Sequence, residues 1–167
     1  MIRVALFAFL TLFTGLVPAQ PRAFVRASGQ STVTAAPDIV TVTVDYTTQG
    51  NSAQEAADAN ATGMTKILNA LKQLIGTKGD IRTVRYYVTP LSRSVNGQPQ
   101  IYAYQATNSV QVTSEDLNAG GRIIDTAMQA GANQVSGISF GLKDNTAARV
   151  QALKQATAQA KTNVEAI

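Results

Sequence analysis

Apolar and polar residues alternate from Ile39 to Thr48, a pattern typical of a strand with one buried face. The predicted buried side carries Val40, Val42, Val44 and Tyr46, and the polar side carries Thr41, Thr43, Asp45 and Thr47. The apolar spacing then changes to three and four residues, which predicts a helix. Ser52-Ala53-Gln54-Glu55 forms a capping box at its start, and Gly76 ends it. Its predicted inner stripe is Ala53, Ala57, Met64, Ile67, Leu68, Leu71 and Ile75.

Two more strands follow as a hairpin. The first runs from Ile81 to about Leu91, and the return strand runs from about Gln100 to Val112. Asn96-Gly97 lies between them, and this dipeptide favours the tight turn of a two-residue hairpin loop.

The remainder of the chain predicts a helix, a strand and another helix. The second helix spans Glu115–Ala130 and stops at Gly131, and Val135–Leu142 is a short strand. Leu117, Ile124 and Met128 form the predicted inner stripe of the second helix, with Ile123 and Ala127 beside it. Asp144 or Asn145 caps the last helix, whose predicted stripe is Val150, Leu153, Ala160, Val164 and Ile167.

A further strand is predicted near the beginning, over Phe24–Thr34, before a turn at Pro37-Asp38. Without it, the order is strand–helix–strand–strand–helix–strand. That order predicts an α+β protein with the ferredoxin-like (split βαβ) plait, an extra N-terminal strand and an appended C-terminal helix. Because nothing after the last helix returns to the sheet, we expect the natural fold to continue beyond Ile167.

The first residues indicate export. Arg3 precedes an apolar run over 4–17, and Val17-Pro18-Ala19 offers small residues for cleavage before Gln20. Residues 1–19 are therefore a predicted signal peptide, and 20–167 a single domain with no transmembrane segment. The chain has no cysteine, which excludes an N-terminal lipid anchor. We expect a periplasmic or outer-membrane-associated protein.

The residue types in the chain give little reason to expect catalysis. Gly137-Ile138-Ser139-Phe140-Gly141 matches the G-x-S-x-G pattern of a nucleophile elbow, but the chain has no histidine to act as its base. The carboxylates show no metal-binding spacing. We expect no catalytic residues, no metal and no cofactor; an enzyme with an unfamiliar site near Asp80 or Asp125 is the minor alternative.

The hairpin strands carry the most plausible binding surface. Tyr102 and Tyr104 lie on the return strand, and the strand opposite contributes Arg82, Arg85, Tyr86 and Tyr87. RNA-recognition modules place stacking aromatics on the equivalent strand. Export argues against nucleic acid as a partner, so ordinary cross-strand packing or a protein interface is the favoured interpretation.

Several stretches of the chain form a recognisable pattern: Val25-Arg26-Ala27-Ser28-Gly29-Gln30, Ala36-Pro37-Asp38, Gly79-Asp80-Ile81-Arg82-Thr83, the strand from Tyr102 to Val112, and Gly131-Ala132-Asn133-Gln134-Val135 with Gly137-Ile138-Ser139-Phe140. In these stretches the chain resembles the SIMPL-domain family of bacterial exported proteins, from about Val25 onward. The resemblance implies an envelope protein, often an antigen, in some cases linked to stress protection or assembled into ring-like homo-oligomers. It implies no catalytic residues.

Two functions follow as hypotheses. The first is a non-enzymatic envelope protein that self-associates through the hairpin around Asn96 and Gly97, the edge of the first strand and the last helix. The low charged fraction, 14%, permits such association. The second is a periplasmic binding module for a small ligand or envelope component, using the surface formed by Tyr86, Tyr87, Tyr102 and Tyr104.

Overall fold

The structure, a computed structural model, describes residues 24–166. The predicted signal peptide, residues 1–19, lies outside the described residues. Two compact units divide the described chain: residues 32–153 form the larger one, and residues 24–31 with 154–166 form the smaller one. The elements are β1 Ile39–Gly50, α1 Ala53–Ile75, β2 Gly79–Val95, β3 Gln98–Ser114, α2 Ala119–Gln129, β4 Gln134–Gly141 and α3 Thr146–Glu165.

The four strands form one antiparallel sheet in the order β2–β3–β1–β4. The prediction of an α+β protein is therefore confirmed. The long central strands pair over eleven residues, from Val40 opposite Ser114 to Gly50 opposite Tyr104. β2 and β4 form the two edges of the sheet.

The core lies between one face of the sheet and the helices α1 and α2. The predicted inward face of β1 is confirmed, because Val40, Val42 and Val44 are fully buried. Burial of each such side chain contributes about 1.5–3 kcal/mol relative to exposure. The same cluster contains Val110, Val112, Met64, Ile67, Leu71, Ile123 and Ala127. We call the opposite face of the sheet, which carries Thr41, Thr43, Asp45, Thr107 and Ser109, the polar face.

Helix α1 has the predicted bounds, but its start differs in detail. The backbone N–H of Glu55 donates to Ser52 Oγ at 3.1 Å, as a capping box requires. The Glu55 carboxylate instead accepts from the backbone N–H of Asn51 at 2.8 Å. In the first turns, Ala56 and Asn60 are buried, whereas the predicted stripe placed Ala53 and Ala57 inward.

The prediction for α2 is wrong at its start and in its buried face. Residues 115–118 form a side-chain-stabilised turn, because Ser114 Oγ accepts from the N–H of Asp116 at 3.1 Å and Asp116 Oδ1 accepts from the N–H of Asn118 at 3.0 Å. The helix begins only at Ala119. Ile123 and Ala127 therefore face the core, and the predicted Leu117 and Met128 are 37% and 44% exposed.

The predicted first strand over 24–34 is also wrong, because residues 24–38 contain no strand. Within the smaller unit this segment lies against the second half of α3. Asn163 Nδ2 donates to the carbonyl of Ser28 at 3.0 Å, and a Cβ on Gly29 would lie 1.9 Å from the carbonyl oxygen of Ala156. The segment therefore packs against a helix, and glycine allows the close approach.

Helix α3 buries none of its side chains. Three residues of the predicted stripe are exposed, at 43% for Val150, 57% for Leu153 and 42% for Val164, whereas Ala160 is partly buried and Ile167 lies outside the described residues. The partly buried positions are the alanines spaced four apart, Ala148, Ala152, Ala156 and Ala160. The predicted start is confirmed, because the N–H of Thr146 donates to Asp144 Oδ1 at 2.8 Å. None of the described helices combines the length and apolarity needed to span a membrane.

Candidate functional site

The structure divides the four candidate tyrosines between different surfaces. Tyr86 lies opposite Asn108 and Tyr87 opposite Thr107, so their side chains point to opposite faces of the sheet. Tyr104 lies on the same face as Tyr86, towards the helices. Tyr102 falls at an irregularity in the pairing, and the Arg93 guanidinium lies 5.8 Å from its ring centroid. A binding role for these four residues stays a prediction.

The hairpin extends well past the rest of the sheet. β1 pairs with β3 only as far as Tyr104, whereas β2 and β3 continue to pair up to Val95 opposite Gln98. We call this extension, residues 91–103, the hairpin arm. Asn96 and Gly97 have φ values of 51° and 77°, so the predicted tight turn is confirmed.

The tip of the hairpin arm carries apolar side chains in contact with solvent. Val95 is 39% exposed, Ile101 54% and Tyr102 52%. Arg93 is the arm's one charged residue. The hairpin arm is therefore a weakly charged projection of two strands, in which a few large apolar side chains are exposed among polar ones.

A cleft of about 330 Å³ lies where β2 begins and β3 ends. Its volume is at the lower end of the range usual for small-molecule sites, roughly 300–1,000 Å³. Two carboxylates and two cationic groups line it, together with one isoleucine side chain and the hydroxyls of two threonines. We call it the charged cleft, and its principal lining residues are Ile39, Asp80, Arg82, Thr113, Glu115 and Lys143.

Close approach of β2 and β3 forms one wall of the charged cleft. Asp80 pairs with Thr113 across the two strands, and Gly79 precedes it. A Cβ on Gly79 would lie 2.3 Å from the carbonyl oxygen of Thr113, closer than real Cβ atoms come. Packing at this corner of the sheet therefore requires glycine at position 79.

Arg82 and Asp80 present opposite charges from the same strand. Both side chains lie on the polar face, two residues apart. Arg82 Nε donates to Gln111 Oε1 at 2.9 Å, and Nη2 donates to the same oxygen at 2.5 Å. Gln111 orients the guanidinium without neutralising it. Among the described residues, no side chain forms a hydrogen bond or salt bridge with the Asp80 carboxylate.

Lys143 and Glu115 form an exposed ion pair on the other side of the charged cleft. The hydrogen bond from Lys143 to Glu115, followed by the attraction of the two charges, raises the pKa of Lys143 above its ordinary value. The backbone N–H of Lys143 donates to Asp38 Oδ1 at 2.7 Å, and the N–H of Asp38 donates to the carbonyl of Gly141 at 2.9 Å. Asp38 thus holds the end of β4 beside the cleft.

Sequence reasoning did not assemble this cleft. The sequence suggests Asp80 only as part of an unfamiliar enzyme site, and Glu115 only as the first residue of the second predicted helix. No role is predicted for Lys143 from the sequence. Glu115 follows β3 and Lys143 follows β4, and both strands pair with β1. Only the strand order brings these ends together, so local spacing held no sign of the site.

Asn60 is a fully buried polar residue in the middle of α1. Its Nδ2 donates to the carbonyl of Tyr46 in β1 at 2.9 Å and to that of Ala106 in β3 at 3.1 Å. The Oδ1 atom of Asn60 is buried without a hydrogen-bond partner. Asn60 therefore links the helix to both central strands and is a structural group.

Asn133 lies immediately before β4, and its side chain forms hydrogen bonds with the backbone of β1. The N–H of Thr47 donates to Asn133 Oδ1 at 3.0 Å, and Asn133 Nδ2 donates to the carbonyl of Thr47 at 2.7 Å. Backbone pairing between β1 and β4 ends at Asp45 opposite Gln134. Gly131, with φ of 112°, turns the chain into position for this contact.

The remaining sequence candidates stay separate in the structure. Ser139 is exposed on β4, and α3 begins only at Thr146, so the strand and helix do not form a nucleophile elbow. Asp125 is exposed on α2. Within residues 24–166, no three histidine, cysteine, aspartate or glutamate side chains form a group that could hold a metal ion.

Comparison with known proteins assigns the chain to a family. Residues 25–167 match the family model for SIMPL, described as a protein of unknown function (DUF541). The chain belongs to the SIMPL family. The match covers the sheet, all three helices and the charged cleft.

The SIMPL relatives are bacterial proteins of greater length. The 26 kDa periplasmic immunogenic protein of Brucella melitensis is 30% identical over 85% of this chain and 60% of its own length. Uncharacterized protein YggE of Edwardsiella ictaluri is 27% identical over 87% of this chain and 62% of its own, and YggE of Escherichia coli is 26% identical over 77% and 52%. The chain therefore spans about three-fifths of the length of the first relatives it matches.

Proposed function

We propose that this SIMPL protein is an exported, non-enzymatic protein of the bacterial cell envelope that assembles into a homo-oligomer. The export pattern in residues 1–19 and the periplasmic name of the Brucella relative support the location. The resemblance to its family supports an association with the outer membrane and a role in stress protection. Survival of a deletion strain under oxidative stress, with and without the restored gene, tests that role.

The hairpin arm carries the proposal of self-assembly. A two-stranded hairpin without a third strand or a helix beneath it is at best marginally stable in water. The arm gains stability when its exposed side chains, Ile101 and Tyr102 above all, pack against another chain. With Arg93 as its one charge, two copies of the arm repel each other weakly.

Solution mass is the direct test. The mature protein, from Gln20 onward, is measured by size-exclusion chromatography with light scattering over a range of concentrations. We expect a multimer. A monomer at every concentration would remove self-assembly from the proposal.

A pair of variants tests whether the hairpin arm forms the interface. Ile101→Lys places a charge at the exposed tip of the arm and is expected to lower the mass towards that of the monomer. Met128→Lys is the matched control, because Met128 is similarly exposed, at 44%, but lies on α2. Equal masses for Ile101→Lys and the unchanged protein would exclude the arm as the interface.

A binding module is the second candidate function, and the exposure of Tyr102 beside Arg93 favours it. A tyrosine next to a cation offers a surface for a small ligand or an envelope component. Saturable quenching of tyrosine fluorescence by a cell-envelope fraction is expected, and Tyr102→Ala and Tyr104→Ala are expected to weaken it. Unchanged affinity in both variants would remove these residues from the site.

The proposal includes the ferredoxin-like plait as the fold of residues 39–141. The strand order β2–β3–β1–β4 and the packing of α1 and α2 on one core support it. Nuclear Overhauser contacts between β1 and both β3 and β4 in the isotope-labelled protein test this order. Contacts between β1 and β2 would contradict it.

A further inference from the structure

We propose that the charged cleft binds a small zwitterion, a molecule with one ammonium and one carboxylate group, such as a free α-amino acid. This site is distinct from the hairpin arm and from the tyrosines. The inference is independent of self-assembly, because all of its groups come from one chain.

The balance of charge in the cleft favours a zwitterion over a simple anion or cation. Asp80 and Glu115 supply two negative charges, and Arg82 and Lys143 supply two positive ones. Glu115 and Lys143 already pair with each other. Asp80 and Arg82 are left as one negative and one positive group without a charged partner, so a ligand with both charges satisfies both.

Arg82 is prepared to receive a carboxylate. Guanidinium has five N–H donors, and the two hydrogen bonds to Gln111 use Nε and one donor of Nη2. Three donors remain in a fixed plane, and this geometry matches a carboxylate. Because Gln111 is neutral, the positive charge of Arg82 stays available to the ligand.

Asp80 lies where the ammonium group of the same ligand would reach it. Residues two apart on a strand have Cα atoms about 6.7 Å apart, and a charge-assisted hydrogen bond spans about 2.8 Å. An α-amino acid, whose two charged groups share one carbon, fits between side chains at that spacing. Ile39 offers an apolar surface for its carbon atoms.

The size of the cleft limits the ligand. A volume of about 330 Å³ suits a compact molecule. The free amino acid is therefore the occupant that the charges and the volume favour together.

Nuclear magnetic resonance titration of the mature protein tests this inference. Glycine and D-alanine are the probes, and acetate and methylammonium, which carry one charge each, are the control ligands at matched ionic strength. We expect saturable shifts of the Gly79 and Thr113 amide signals with an amino acid and weaker responses to either control ligand. An equal response to acetate would show an anion site only and overturn the proposal.

Variants of the two free charges complete the test. Arg82→Gln and Asp80→Asn are each expected to weaken binding roughly tenfold or more, because each removes hydrogen bonds to a charged group. Arg85→Gln is the matched control, since Arg85 lies on the same strand and face but outside the cleft. No saturable shift with either amino acid, or an equal loss in Arg85→Gln, would overturn the proposal. The comparison of ligands on the unchanged protein needs no variant to fold.

Discussion

The buried amide of Asn60 provides the sharpest test of how this structure is held together. Its Nδ2 joins α1 to the carbonyls of Tyr46 and Ala106, and thus to both central strands. Asn60→Ala removes both hydrogen bonds and leaves a small void in a fully buried place. The substitution therefore weakens the contact between α1 and the sheet, and it leaves the residues of the hydrophobic cluster unchanged.

The magnitude follows from three terms. Each lost hydrogen bond contributes roughly 1 kcal/mol to stability. The void adds to the loss, by about 24 cal/mol for each Å³ that the surroundings do not fill. Removal of the unpaired Oδ1 offsets part of it, because a buried acceptor without a partner costs free energy. We expect Asn60→Ala to lower the free energy of unfolding by about 2 kcal/mol.

Urea unfolding followed by circular dichroism measures this difference, with the slope checked for equality between variants. Asn118→Ala is the matched control, since Asn118 is exposed and its side chain makes no capping hydrogen bond. The control is expected to change stability by less than about 0.5 kcal/mol. A change of that small size for Asn60→Ala would refute the reasoning.

Three further predictions concern glycines and one helix start. Gly79→Ala is expected to destabilise the protein by about 1–3 kcal/mol in urea unfolding, because its Cβ meets a backbone oxygen, whereas Gly137→Ala meets no atom within 4 Å and serves as its control. Gly121→Ala, in α2 with open space around it, is expected to raise stability by about 0.4–1 kcal/mol, and a loss in thermal unfolding would contradict this. Hydrogen bonding from Thr146 lowers the pKa of Asp144, so its support of α3 is present above its unfolded pKa and is lost as the pH falls through the folded one. The protection factor of the Thr146 amide, which is the exchange rate of an unstructured peptide at the same pH divided by that of the amide, is expected to fall in acid, and Asp144→Ala is expected to lose this pH dependence.

The elements with a clear local pattern could be predicted from the sequence. The alternation in β1 and the three- and four-residue spacing in α1 each permit one buried face, and the structure agrees with the bounds of both, with the face of β1 and with the face of α1 from Met64 onward. The turn at Asn96-Gly97 follows from the positive φ that these residues tolerate. These features depend on residues that are close together in the sequence, so the sequence alone is enough to predict them.

The predictions are wrong where the structure depends on residues far apart in the sequence, or on side chains that compete for backbone hydrogen bonds. The hydroxyl of Ser114 and the carboxylate of Asp116 bind backbone N–H groups, and this turn delays α2 to Ala119 and rotates its buried face. The segment 24–34 has residues suited to a strand, but its hydrogen bonds go to side chains of α3. Strand propensity does not determine which segment of the chain a strand will pair with. For the same reason, the charged cleft depends on strand order and could not be seen in the sequence.

The side chain of Asn133 acts as a substitute peptide unit. With one donor and one acceptor on Thr47, it adds one rung to the ladder between β1 and β4 after the backbone of β4 has turned away. The edge of β1 at this point is therefore closed to a foreign strand, which would need the same two backbone groups. Aspartate could not replace it, because it has no donor for the carbonyl. The stretch Gly131-Ala132-Asn133 thus completes the pairing of β1 at the point where β4 ends.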